Sequence, residues 1–428
     1  MTSESISIFW FRRDLRLHDN TALNQALKSG KPVLPIFIFD NEIIEGLDED
    51  DLRLNFIYTH LSSLNNKLKA YGSSLKVFKG QVHDVWKRLL RDYDVSEVYL
   101  NRDYEPYARE RDLRLEKLLK SNDISLNTFK DHVIFEPDEV LKDDGMPYTV
   151  FTPYKKKWLK TYDRVTTNDL ENSAAFYKVI YDFPTKSSLG IKDTDVRVPV
   201  YDLDVISSYA DFRDYPAVKG TTRLGPYLRF GVLSIRSLLL MKGEDSETFT
   251  SEIIWREFFI QILYHFPHVV TRNFKSKYDR VKWINNIREF ELWKKGMTGY
   301  PIVDAGMREL NETGYMHNRV RMLTAGFLCK HLLIDWRWGE AYFASKLIDY
   351  ELASNNGNWQ WAAGTGCDAA PYFRIFNPMT QAKKFDAQLE YINNWIPELN
   401  TFEYPKPIVV HEMARERALN AYKRALNF

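Results

Sequence analysis

Cysteine is nearly missing from this sequence. Cys329 and Cys367 are the only two among 428 residues, and they stand far apart. Two lone thiols argue against a disulfide framework and a Cys-based metal site, and they fit a reducing compartment. An excess of charge is missing too. Lys and Arg number 59 against 58 Asp and Glu, a net charge of +1, so global charge does not mark a nucleic-acid binder. A local basic surface stays open, because a phosphate responds to the field at its site. No apolar run reaches the roughly 18 residues a membrane span needs. The N-terminus turns charged at Arg12, before a signal-type apolar core is complete. His317 and His331 have no ligand-like partner, so no metal is expected. The sequence shows no internal repeat, low-complexity tract or heptad run. It also lacks Gly-x-Ser-x-Gly, a Ser/His/Asp or Cys/His set, and a Gly-x-Gly-x-x-Gly after the first apolar run, which excludes a standard dinucleotide site.

Rings are what the sequence has in quantity: aromatics make up 14%, with 11 Trp. In "SNNGNWQWAAGTGCDAAPYFRIFNP" (Ser354 to Pro378), two indoles follow an Asn-Asn-Gly run, with no obvious acid, base or nucleophile beside them. The organisation around this stretch is readable. "SISIFWF" (Ser5–Phe11), "PVLPIFIFD" (Pro32–Asp40), "SLKVFKG" (Ser74–Gly80), "VSEVYLN" (Val95–Asn101) and "ISLNTFKD" (Ile124–Asp131) are short, apolar and rich in β-branched and aromatic residues. Amphipathic helix patterns such as "RLNFIYTHLSSLNNKLKAYG" lie between them. Such alternation predicts a doubly wound, parallel, five-stranded sheet. Residues 132–200 read as an irregular connector with one helix around "PYKKKWLKTYDRV". From Tyr201 onward the pattern is almost wholly helical, including "GPYLRFGVLSIRSLLLMKG", and "EMARERALNAYKRALNF" reads as a final helix. The fold class is therefore α/β then all-α. Its parts are an N-terminal sheet domain over 1–131, the connector, and a helical domain over 201–428.

Four segments could carry chemistry. "GTTRLGPYLRFG" offers the Thr221 and Thr222 hydroxyls, the Arg223 cation and a close approach at Gly225. It reads either as a pyrophosphate loop at a helix N-terminus or as a plain capped helix start. In "SEIIWREFF", Glu252 and Arg256 are four apart, the spacing of an ordinary surface ion pair, and Trp255 is either core or a stacking platform. In "MHNRVRM", Asn318 and Met322 share a helical face next to Arg319 and Arg321. In "LIDYELASNN", Asp349 and Glu351 sit among apolar residues, and Asp349 can serve as an arginine's counter-ion. Trp283, Trp336 and Trp359 fall in separate helical segments. Spacing leaves two readings open for them, structural core or a file of easily oxidised indoles that conducts an electron.

Taken in order, "FWFRRDLRLHDNTAL", "TTRLGPYL", "TGYPIVDAGMREL", "MHNRVRM", "IDWRWGE", "NNGNWQW" and "FRIFNPMTQAKKFD" resemble the photolyase/cryptochrome family over nearly the whole chain. Within it they are most similar to the class I-type branch acting on cyclobutane pyrimidine dimers in DNA. The resemblance implies one FAD in the helical domain and light-driven electron transfer to a flipped-out dimer. It implies that Tyr209, Thr221, Thr222, Arg223, Leu224 and Gly225 hold the FAD ribityl and phosphates. It implies that Arg256, Asp349 and Asn355 line the isoalloxazine, Asn355 facing N5, with Glu351 near the flavin and Arg321 as the partner of Asp349. Glu252, Trp255, Asn318, Met322 and Trp361 match the dimer pocket, and Arg213, Arg319 and Gln381 match DNA contacts. Trp359, Trp336 and Trp283 match the photoreduction chain.

Some positions depart from the family pattern. Gly225 replaces a serine in the phosphate loop, and Glu351 stands where aspartate is usual. In "DYEPYARERD", Tyr107 and Ala108 replace the Asn-Glu pair of folate-binding relatives. A second, antenna chromophore is therefore of open identity: deazaflavin, folate, flavin or none. The alternative within the family is a cryptochrome-type blue-light signalling flavoprotein. Against it stand the short stretch after the flavin domain and the intact dimer-pocket positions. A (6-4) lyase would carry histidines where Asn318 and Met322 stand, and a dark oxidoreductase would need a nicotinamide fingerprint. The implied setting is cytoplasmic, as a monomer with the bacterial nucleoid, with no membrane partner.

Overall fold

The structure, a computed structural model, describes residues 4–163, 165–167, 170, 172–243 and 246–426. The chain divides into two compact units. One comprises 1–136, 163–198 and 224–243, and the other 137–162, 199–223 and 244–428. The stretch 132–200 is thus shared between them.

The first unit holds the five-stranded sheet. Its strands are β1 (Ile6–Phe11), β2 (Val33–Asp40), β3 (Lys76–Gly80), β4 (Val95–Asn101) and β5 (Ser125–Phe129). All pair in parallel in the order β3-β2-β1-β4-β5, as the alternation of apolar runs and helices predicts. β1 and β2 are buried along their whole length, which is why they read as continuous apolar runs. Ile6, Ile8 and Trp10 of β1 and Leu34, Ile36 and Ile38 of β2 share a core with Trp86 and Leu89 of the Val82–Asp92 helix and Leu115 and Leu119 of the Pro106–Lys120 helix.

"GPYLRFGVLSIRSLLLMKG", part of the helical pattern above, forms two short helices, Gly225–Arg229 and Ile235–Met241. Gly231 separates them at φ +61°, and a Cβ there would lie 2.0 Å from the Arg13 carbonyl oxygen. Only glycine fits both the left-handed backbone and that approach. The second helix is locked to the sheet by charge. Arg236 pairs with Asp19 at 3.0 Å and Asp131 at 2.8 Å, and Arg16 reaches Asp131 at 2.6 Å.

The second unit is helical. The Phe151–Thr161 helix, shifted slightly from the predicted span, lies against the Glu247–His265 helix. Arg164, within the predicted span, falls outside the described residues, as do residues 427 and 428 of the predicted final helix, which runs His411–Leu426. Trp293, Met307, Phe327, Trp336, Phe343 and Trp359 belong to one large apolar core. The Asn-Asn-Gly run explains itself here: a Cβ on Gly357 would fall 2.1 Å from the Phe259 ring, so this glycine lets the Leu352–Ala363 helix press on the Glu247–His265 helix. Gly339 does the same under Trp359. Among the described residues no helix is long and apolar enough to cross a membrane, and no group of three His, Cys, Asp or Glu could hold a metal.

Candidate functional site

The phosphate-loop residues divide at the unit boundary, which falls after Arg223. Leu224 and Gly225 go with the sheet-bearing unit, where Gly225 opens its five-residue helix. Thr221, buried Thr222 and Arg223 stay with the helical unit. Arg223 has φ +53°, unusual for a side chain of that size, so the loop turns sharply there. Its guanidinium lies 5.3 Å from the Tyr315 ring centroid, and Arg321 approaches the same ring at 5.6 Å. Tyr209 packs edge-on to Phe249 and under Arg213. Burial, with the Glu252 carboxylate second, pushes its phenol pKa well up, so it stays a neutral donor.

Tertiary ion pairs, rather than pairs within one helix, hold the charged candidates of the helical unit. The spacing of Glu252 and Arg256 suggests a pair between them, and the structure overturns that expectation. Glu252 binds Arg213 at 2.5 Å, and Arg256 binds Glu351 at 2.9 Å. Both tertiary partners are better buried than an exposed i,i+4 pair would be, so each contact gains more from the lower dielectric. Asp349 does bind an arginine: Arg321 grips it with two nitrogens at 3.1 and 2.8 Å. Glu351 also accepts from the Ser354 hydroxyl at 3.1 Å.

Asn355 is buried, and its amide orientation is fixed. Nδ2 donates to the Glu340 carboxylate at 2.8 Å and to the Glu340 carbonyl at 3.1 Å. Its Oδ1 accepts nothing among the described residues, so the side chain presents an acceptor. Burial raises the Glu340 carboxyl pKa, and the Asn355 donor only partly offsets it. Glu340 was not among the residues the sequence singled out. It lies on the helix that begins at Trp336, and only the tertiary fold brings it to Asn355.

The "MHNRVRM" segment forms the Asn318–Gly326 helix. His317 caps it: Nδ1 accepts from the Arg319 backbone N–H at 3.2 Å. Burial lowers this imidazole to about 4, so the lone pair that caps is available at neutral pH. Asn318 is exposed at the helix start, and Met322 is half-buried one turn on. Arg319 pairs with Asp214 at 2.5 Å and lies 4.4 Å from the Phe385 ring centroid. Gln381 is half-buried on the Pro378–Phe385 helix that also carries Phe385.

The indoles fall into two settings. Trp336 and Trp359 are fully buried in the large core, and Trp283 is half-buried against it. Trp336 donates to Asn273 at 2.9 Å, Trp359 packs edge-on to Phe343 and Trp293, and Trp283 edge-on to Tyr422. Trp255 and Trp361, in contrast, keep part of their rings exposed. Trp361 packs at the margin of the large core, while Phe151 lies flat on Trp255 with centroids 3.6 Å apart.

This donor set suits FAD. It offers hydroxyls and cations for phosphates, an amide acceptor and balanced charge pairs for a polar ring system, and no acid, base and nucleophile in catalytic array. Comparison with known proteins agrees. Residues 249–403 match the FAD binding domain of DNA photolyase, so the helical unit carries a flavin-binding module. Residues 7–173 match the DNA photolyase family itself. The chain belongs to the DNA photolyase family. It is 38% identical to the deoxyribodipyrimidine photo-lyase of Alkalihalophilus pseudofirmus, over 98% of each chain. A class III photolyase from Agrobacterium tumefaciens superposes with a TM-score of 0.90 at 33% identity, over 100% of this chain and 99% of that one. An archaeal photolyase from Sulfolobus tokodaii with two FAD molecules superposes with a TM-score of 0.87 at 36% identity, over 98% and 99%.

Proposed function

We propose that this chain is a light-dependent lyase that splits cyclobutane pyrimidine dimers in DNA. The observation that carries the reading is the near full-length likeness to a deoxyribodipyrimidine photo-lyase, which the buried indoles and the lack of an acid–base set fit. When bound, reduced FAD excited by blue light supplies an electron to the dimer and takes it back after the ring bonds break. The chain's own residues then have to bind, orient and exclude water.

In this reading Tyr209, Thr221, Thr222 and Arg223 hold the phosphate and ribityl portion. Arg256 with Glu351, and Arg321 with Asp349, give the flavin a polar surround of no net charge. Asn355 offers its carbonyl oxygen to N5–H. Trp359, Trp336 and Trp283 relay electrons from the surface. Glu252, Trp255, Asn318, Met322 and Trp361 form the dimer pocket, and Arg213, Arg319 and Gln381 take the DNA backbone. The protein acts as a monomer in the cytoplasm, on the nucleoid. An antenna chromophore would belong to the sheet-bearing unit, whose cleft is lined by Glu42, Trp86, Tyr107, Arg111 and Arg114. The absorption spectrum of the purified protein decides between a deazaflavin, a folate, a flavin and none.

The dimer must leave the duplex to reach a buried flavin. Photolyases are among the standing examples of this base flipping, at a cost of a few kcal/mol. Trp255 and Trp361 recover part of that by stacking, roughly 1–3 kcal/mol per base. Trp255→Ala is therefore expected to weaken binding to dimer-containing duplex at least tenfold while intact duplex is bound as before. Arg319→Ala should weaken both and lower the salt slope by about one phosphate contact. Equal affinity of the wild-type protein for damaged and intact duplex, with no thymines restored under blue light, would refute the repair reading.

Asn355→Asp is the second test. It sets a carboxylate against the Glu340 carboxylate, and two such groups share a proton rather than both ionise. The negative charge of the pair, moved in part from Glu340 to position 355 beside the flavin, should lower the flavin midpoint potential by on the order of 30 mV or more and slow repair, with FAD retained. A spectroscopic redox titration reads the shift, and an unchanged midpoint counts against a role at N5.

A further inference from the structure

The helix that opens at Phe151 lies in a stretch the sequence marks only as a connector. It is fastened to the Glu247–His265 helix along its length. Trp158 donates its indole N–H to the buried Glu257 carboxylate at 2.6 Å, and Tyr154 packs on Phe258. The Phe151 backbone N–H donates to Asp368 at 3.0 Å, which fixes the start of the helix. The side chain that results from this anchoring is placed with unusual closeness. The Phe151 ring lies 3.6 Å from the Trp255 ring centroid with planes 7° apart, a full face-on overlap. Phe258 meets Trp255 edge-on at 5.5 Å, and Phe259 lies 5.4 Å away at 29°. Phe151 itself is 7% exposed, so it has little surface of its own to offer DNA, whereas Trp255 is only half-buried.

We propose that Phe151 is a positioning residue for lesion recognition, holding the Trp255 indole in one orientation so that its open part is set for the extruded dimer before DNA arrives. The inference rests on the reading of Trp255 as a dimer-pocket residue. A tryptophan on a helix surface otherwise samples several rotamers and loses that freedom on binding. Full overlap with a buried, anchored ring removes the alternatives in advance. The gain appears only with ligands that use Trp255, so it enters specificity rather than general DNA affinity.

The test is a double-mutant cycle on the FAD-loaded protein, reading dissociation constants for dimer-containing and intact duplexes. Phe151→Ala should weaken binding of the dimer-containing duplex about threefold to tenfold and leave the intact duplex unchanged. Phe151→Leu, which keeps bulk without a flat face, should fall between, and carries the test alone if the alanine variant does not fold. Phe151→Tyr, which keeps the ring face, should restore the wild-type ratio. In a Trp255→Ala background, Phe151→Leu should cost nothing further, because the side chain it positions is gone. Equal weakening for both duplexes, or effects of the two substitutions that simply add, would overturn the proposal. A Trp255→Ala variant with an unaltered damaged-to-intact ratio would instead overturn the pocket reading of Trp255, whatever Phe151 does.

Discussion

Trp336→Phe is expected to stop light-driven reduction of bound oxidised FAD by external reductant, with the rate falling more than tenfold. Repair by protein already reduced should stay within twofold of wild type. The physical basis is the difference between the rings. Indole gives up an electron far more readily than benzene, and Trp336 is fully buried in the same apolar core as Trp359, with Trp283 half-buried against that core. Phenylalanine keeps most of the volume at this position and removes the oxidisable ring. It also strands the Asn273 side-chain oxygen that the indole N–H satisfies. That loss costs about 1–3 kcal/mol of stability, so photoreduction should be read well below the melting range. Photoreduction at the wild-type rate in Trp336→Phe would remove Trp336 from any relay.

The largest stability effect is expected from Asp131→Ala. This carboxylate is 1% exposed and binds both Arg16 and Arg236, and Asp19 completes the group. Burial alone would raise the Asp131 pKa, but the two guanidiniums overcome it and hold the carboxyl far below the usual range. Removing it leaves buried positive charge without its partner, a loss of about 3–5 kcal/mol. The wild-type counterpart is acid sensitivity. A group whose folded pKa is depressed contributes its full stability above its unfolded pKa, near 4. That contribution is lost as pH falls toward the depressed folded value. Acid unfolding should therefore begin below about pH 4, and Asp131→Ala should flatten that limb of the stability curve. A thermal midpoint for Asp131→Ala within about a degree of wild type would mean that the arginines find other partners.

The sheet was legible because each strand announces itself locally. β1 and β2 are buried runs of β-branched and aromatic residues, which need nothing more to be recognised, and the strands at the sheet's edges were read from the alternation around them. The stretch after Gly225 reads as helical, and it is; its break at Gly231 is not legible, because it depends on the Arg13 carbonyl, more than two hundred residues earlier in the chain. Glu252 and Arg256 have the spacing of a helix pair, yet each turns to a better buried partner that no local pattern reveals. The motif residues could be named in advance. Their supporting partners, Glu340 behind Asn355, Asp214 on Arg319 and Phe151 on Trp255, could not, since each acts from a different element. The one sequence signal close at hand was Asp214 next to Arg213, an acidic residue adjoining an expected DNA contact.

Arg319 and Arg213 do not stand bare at the surface; each is held by a carboxylate of its own chain. On the proposed reading of these two arginines as DNA contacts, a phosphate that reaches either one has to displace Asp214 or Glu252 first, so each such contact is an exchange of anions rather than a simple gain. The same reading expects ordinary duplex, which offers phosphates and nothing else, to be gripped loosely and released quickly. A protein that must inspect very many intact base pairs for each damaged one profits from that short dwell time. Only a site that adds stacking to the exchange holds it long enough for a photon to arrive.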